Sequence, residues 1–106
     1  MEDCIFCSVA QGKLPATFLY QDNDCMVIRD IHPQAPIHWM VIPKKHVTDF
    51  TQADEKLLRM MCSLVNKVIR KEKLTGFRIV TNGGDAAYIA HFHIHVLGSV
   101  DKNRNL

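Results

Sequence analysis

The chain has 106 residues, 47% of them apolar and 23% charged, the size and balance of one domain, residues 1–106, able to bury a core. Lys and Arg number 13 against 11 Asp and Glu, and the formal charge of +2 is too small for a nucleic-acid footprint. No stretch approaches the roughly 18 apolar residues of a membrane span, and Met1-Glu2-Asp3-Cys4 is acidic where a signal peptide is basic, so a cytoplasmic protein with reduced cysteines is expected.

Cys4 to Gln11 reads as a short helix closed by Gly12, and it contains the C-x-x-C pair Cys4-Ile5-Phe6-Cys7. Such a pair binds zinc, works as a redox dithiol, or is coincidental; the flanking sequence lacks the βαβ context of a redox motif. Zinc would need two more ligands, and His46 with one histidine near the C-terminus are the natural candidates. Thr17-Phe18-Leu19-Tyr20 and Cys25-Met26-Val27-Ile28-Arg29 read as antiparallel strands joined by a turn at Gln21-Asp22-Asn23-Asp24. Asp30 is either a turn former or a carboxylate suited to ribose hydroxyls. Pro33, Pro36 and Pro43 bracket a third strand, His38-Trp39-Met40-Val41-Ile42. His38 is a satisfied strand histidine or a site residue.

Thr51-Gln52-Ala53-Asp54 resembles a helix cap. Leu57, Leu58, Met61, Leu64, Val65, Val68 and Ile69 then recur at three- and four-residue intervals, which predicts one long amphipathic helix terminated near Gly76. The basic run Arg70-Lys71-Glu72-Lys73 reads as its solvated end. Cys25 and Cys62 sit among apolar residues and are expected to be buried. Phe77-Arg78-Ile79-Val80-Thr81 and Phe92 to Leu97 are the last two strands, separated by the loop Asn82-Gly83-Gly84-Asp85. Strands, one helix, then strands on hairpin-scale connections favour an α+β fold with an antiparallel sheet.

The most informative stretch is His91-Phe92-His93-Ile94-His95-Val96-Leu97. On a strand, residues of equal parity share a face and lie roughly 6.5 Å apart, so the three imidazoles would face one cleft and Phe92, Ile94 and Val96 the core. Two chemistries fit. Alternate imidazoles can hold a borderline metal, or His93 can attack phosphorus as a neutral nucleophile while its neighbours bind phosphoryl oxygens or donate a proton. The glycines after Asn82 suit an anion approached by backbone amides, or a plain hairpin turn.

Together these segments resemble the histidine-triad (HIT) superfamily, whose signature is matched in full by His91 to Leu97. Asp3-Cys4-Ile5-Phe6-Cys7, Gly12-Lys13-Leu14-Pro15-Ala16, Asp30 to Pro36 and His38 to His46 are similar to its Hint branch, so the likeness spans Asp3 to Gly98. The resemblance implies a five-stranded antiparallel sheet with one long helix and a short N-terminal helix, a homodimer with a continuous sheet, and a hydrolase or transferase acting on purine nucleoside phosphoramidates. His93 would be the nucleophile, His95 the phosphate and leaving-group contact, and His38 its support. Asp30 would bind ribose, Asn82 would lie near the phosphate, and Ile5, Phe6, Val9, Ile28 and Ile31 would wall the base. Chemistry would need no metal, but a structural zinc on Cys4, Cys7, His46 and His91 is implied, which leaves only His93 and His95 of the triple for phosphate. Two departures stand out. Ala86-Ala87-Tyr88-Ile89-Ala90 replaces the Gly-Gln-Ser/Thr segment of Hint members, and the tail from Ser99 to Leu106 lacks their Trp-Pro-Pro-Gly ending. Hydrolysis of dinucleoside polyphosphates, as in the Fhit branch, nucleotide binding as an adaptor with weak catalysis, and a metal hydrolase using all three histidines are the other readings.

Overall fold

A computed structural model of the chain describes residues 3–103; the first two residues and the last three of the tail, on which the leader and C-terminal expectations partly rest, lie outside the described residues. In chain order the elements are α1 (Ile5–Ala10), β1 (Phe18–Gln21), β2 (Cys25–Arg29), β3 (Ile37–Pro43), α2 (Glu55–Lys71), β4 (Phe77–Val80) and β5 (Ile94–Gly98). The strands form one antiparallel sheet in the order β1-β2-β3-β5-β4. This is the α+β architecture expected, five strands with one long and one short helix.

Turn chemistry explains the β1–β2 hairpin. The Asp22 carboxylate accepts the amides of Asp24 and Cys25, both at 2.8 Å, closing the turn before β2 begins. Seven-residue β3 is central and pairs on both edges, with Pro43 at its end, where a missing amide does least harm.

Strand parity then sorts residues between two apolar layers. Cys25, Val27, Val41, Ile94 and Val96 face α2, packing on Met61, Val65 and Val68. Met26, Ile28, Met40 and Ile42 face the opposite way and pack with Phe6 and Val9 of α1. Each such buried Val, Ile or Met contributes roughly 1.5–3 kcal/mol. Both faces of β2 and β3 are therefore covered, and the even-numbered residues of β3, His38 included, lie on the α1 side.

Four local expectations need correction. The long helix starts at Glu55, and its N-cap within the expected stretch is Asp54, whose carboxylate accepts the Leu57 amide at 2.8 Å. Thr51 lies instead in a separate 3-10 turn, Phe50–Gln52, capped by Asp49. Gly76 does not end α2: Lys73 takes the left-handed conformation at φ 54°, while Gly76 is needed because a Cβ there would stand 2.0 Å from the Val100 carbonyl oxygen. Cys62 is exposed, since it falls on the solvent side of α2 although its sequence neighbours are apolar. Finally, β5 begins at Ile94 and not at Phe92. The Phe92 amide donates to the Val47 carbonyl at 2.6 Å, outside the ladder, so only His95 of the three histidines is a strand residue. Among the described residues, no helix is long and apolar enough to cross a membrane.

Candidate active site and metal centre

The three alternating histidines divide between two adjoining clusters. The first gathers Cys4, Cys7, His46 and His91. Cys4 is the N-cap of α1, its sulfur accepting the Cys7 amide at 3.4 Å, so one turn of helix brings both thiols together. Cys4 Sγ lies 3.2 Å and Cys7 Sγ 3.6 Å from His91 Nδ1, and His46 Nδ1 is 3.1 Å from the same atom. Cys7 Sγ to His46 Nδ1 is 3.3 Å. Separations of this size are those across a tetrahedron with bonds of roughly 2.0–2.3 Å.

His91 is fully buried, and its Nε2–H donates to the Pro43 carbonyl at 2.7 Å. That bond leaves the lone pair on Nδ1, aimed at the two sulfurs, as a metal ligand requires. Burial pushes the His91 pKa down, which keeps the ring neutral. Burial and the adjacent Cys4 push the Cys7 thiol up, a penalty that a divalent ion reverses. Two thiols and two imidazole nitrogens are the donor set of a closed structural zinc site, and this geometry fits it.

The second cluster holds His93, His95, His38 and Asp30. His93 is 6% exposed, and its Nδ1–H donates to the His91 carbonyl at 2.7 Å. Its Nε2 has no hydrogen-bond partner among the described residues. The ring is therefore neither turned wholly inward nor drawn into the cysteine cluster. Phe6 stands edge-on to it at 5.0 Å and His95 at 4.9 Å. Burial lowers the His93 pKa and pushes His95 down to about 4, with the neighbouring His93 and His38 adding to the effect on His95.

His38 Nε2 lies 2.8 Å from His95 Nδ1 and 3.4 Å from Asp30 Oδ2, and Asp30 Oδ2 is 3.9 Å from His95 Nδ1. Two imidazoles and a carboxylate this close resemble a second metal site. The chemistry argues otherwise. The Gln34 amide donates to His38 Nδ1 at 3.0 Å, so the neutral ring keeps its proton on Nε2, the atom a metal would have to occupy. His91, His93 and His95 do not converge on one ion either, because His93 gives its Nδ1 proton to a carbonyl and His91 belongs to the cysteine cluster.

The other expected site residues are spread around this centre. Phe6, Val9 and Ile28 are buried in the α1-side layer, whereas Ile5 is 53% and Ile31 85% exposed. Asn82 is half-buried just beyond β4. The Gly84 amide does not face open space for an anion: it donates to Asp49 Oδ2 at 3.3 Å, and Gly83 lies against the same carboxylate. Tyr88 is fully exposed in the Ala86–Ala90 segment, while Ile89 packs on the α1-side layer. Several contributors escape residue-type reasoning. Thr81 Oγ1 donates to the His93 carbonyl at 2.7 Å, and the Pro43 carbonyl and Gln34 amide act through backbone atoms that no motif reports.

Known proteins share this fold. The sequence pattern of the HIT domain matches residues 11–102. An uncharacterized HIT-like protein of Synechococcus elongatus is 38% identical over 103 residues, covering 92% of this chain and 90% of its own. A HIT family hydrolase from Clostridium thermocellum superposes with a TM-score of 0.90 at 34% identity, over 100% of this chain and 98% of the other. A Zn-bound histidine triad family protein from Mycobacterium smegmatis does so with a TM-score of 0.86 at 28% identity, over 97% and 79%.

Proposed function

The chain belongs to the HIT domain family, and from that premise we propose that it is a Hint-like nucleotide hydrolase or transferase cleaving purine nucleoside 5′-phosphoramidates such as AMP-NH2 or AMP-lysine. The observation that carries the reading is the His93 ring: its Nδ1–H is held by the His91 carbonyl, so the lone pair lies on an unencumbered Nε2. That nitrogen attacks the α-phosphorus as the P–N bond to the amine breaks, and the amine leaves with a proton taken from solvent. Water then cleaves the P–Nε2 bond, releasing the nucleoside monophosphate and the neutral imidazole. His95 and its support His38 contact the phosphoryl group and leaving group. Asp30 takes the ribose hydroxyls, Asn82 lies near the phosphate, and Ile5, Phe6, Val9, Ile28 and Ile31 border the base.

Zinc on Cys4, Cys7, His46 and His91 would be structural, tying α1 to the segment that carries His93. The tetrahedral donor separations and the Zn-bound relative from Mycobacterium smegmatis support it. A homodimer through β4, joining two sheets into one, is supported by the exposed Phe77, Ile79 and Val80 on that edge strand.

Intact-mass analysis after brief mixing with adenosine 5′-phosphoramidate tests the reading: an adenylyl adduct should appear and should vanish in His93→Ala. Tight AMP binding without adduct or turnover would favour a nucleotide-binding adaptor instead. That second reading is motivated by the Ala86–Ala90 segment, which removes side-chain donors whose loss costs orders of magnitude in rate. Comparing products from a dinucleoside polyphosphate separates the Fhit-like alternative.

A further inference from the structure

We infer that the backbone amide of Gln34 is a remote positioning group: by holding one nitrogen of His38 as an acceptor, it decides which nitrogen of His95 carries the proton. The consequence for turnover rests on the nucleotide-cleaving reading above, whereas the proton placement does not.

A backbone N–H neither titrates nor reverses its polarity, so whatever it meets must accept. Gln34 follows Pro33 and precedes Ala35-Pro36, a stretch in which the prolines have no donor to offer. Its loop is braced from both sides. Asp30 Oδ1 accepts the His32 amide at 2.8 Å, Gln34 Nε2 donates to the His32 carbonyl at 3.0 Å, and the Asp30 amide donates to the His38 carbonyl at 3.1 Å. Held this way, the Gln34 amide meets His38 Nδ1 at 3.0 Å, and the neutral ring carries its proton on Nε2. That nitrogen lies 2.8 Å from His95 Nδ1 and 3.4 Å from Asp30 Oδ2, and the shorter contact takes the proton. His95 Nδ1 is thus an acceptor, and its own proton sits on Nε2.

His93 is wired the opposite way, with Nδ1–H on the His91 carbonyl and a bare Nε2. Two rings 4.9 Å apart and nearly perpendicular therefore present unlike atoms, a lone pair from His93 and an N–H from His95. A phosphoryl group placed between them meets a nucleophile on one side and a hydrogen-bond donor for its oxygens on the other. Were His38 to hold its proton on Nδ1, His95 would donate to His38 and present a second lone pair, which repels phosphoryl oxygens. One main-chain amide, two hydrogen bonds away, excludes that arrangement.

Two-bond 1H–15N correlation spectra of zinc-loaded, 15N-histidine-labelled protein near neutral pH distinguish the tautomers directly. The wild-type protein should show His38 and His95 as Nε2–H and His93 as Nδ1–H. Gln34→Ala, which keeps the amide, should retain this pattern; Gln34→Pro, which deletes it, should bring an Nδ1–H form into His38 and His95. In Gln34→Pro, kcat for adenosine 5′-phosphoramidate should fall by about 10²-fold, the scale of losing one transition-state donor, with KM little changed. An Nδ1–H His38 or His95 in the wild type overturns the idea, as does a Gln34→Pro spectrum identical to it. If the proline variant does not fold, the wild-type spectrum alone decides. Correct tautomers without any adenylyl-His93 would leave the proton wiring intact and remove the nucleotide-cleaving reading.

Discussion

His93 and His95 are separated by a single residue, yet different neighbours govern their protons. The His91 carbonyl accepts the Nδ1 proton of His93, whereas His95 Nδ1 accepts from the His38 imidazole and its own proton stays on Nε2. Burial lowers the pKa of His93 and pushes that of His95 down to about 4, so the acid limb of kcat/KM should lie below the ordinary imidazole range near 6.5. A profile with its acid limb at 6.5 would contradict this. Stability carries the same sign. A depressed folded-state pKa contributes stability that is fully present above the unfolded value, near 6.5, and is lost as pH falls toward about 4. Acid titration followed by circular dichroism should therefore show progressive loss across that window. Thr81→Val removes the donor to the His93 carbonyl and should cost about 1 kcal/mol in denaturant unfolding. The types of these residues could be read from the alternation His91 to His95. Their protonation could not, because it depends on carbonyls and amides contributed by other segments.

At the scale of elements, α1 is six residues long, too short to persist by its own hydrogen bonds. Its anchorage comes from Phe6 and Val9 in the apolar layer and, in the proposed zinc-bound state, from the metal on Cys4 and Cys7. Chelation should lower the midpoint of thermal unfolding measured by calorimetry, and Cys4→Ser should reproduce the shift and abolish further response to chelator. Helix α2 has a separate dependence on Asp54: Asp54→Ala removes its N-cap and should cost about 1 kcal/mol. Periodicity located α2 and β2 because apolar spacing is a local property. Alternation does not mark the start of β5, because the period of two continues through His91 and Phe92, whose amide partner is Val47 and not a strand. The role of Gly76 is hidden from local pattern for a similar reason: its requirement is the closeness of Val100, far along the chain.

For the whole molecule, the sheet has two outer strands, β1 and β4, and β4 exposes Phe77, Ile79 and Val80. An unpaired apolar edge is a template for a second copy. Ile79→Lys should therefore convert the proposed dimer to monomer in light scattering, and a variant that stays dimeric would place the interface elsewhere. The amino-acid order by itself determined the principal element types and the candidate residues Cys4, Cys7, His46, His91, His93 and His95, since periodicity and spacing are properties of neighbouring residues. Only the tertiary structure decided that the His91 carbonyl holds the His93 Nδ1 proton and leaves the lone pair on Nε2, that Gly84 spends its amide on Asp49, and that Cys62 faces solvent. Those outcomes depend on which backbone carbonyls and amides from distant segments arrive within 3 Å or so, and a linear pattern of side chains carries no record of them.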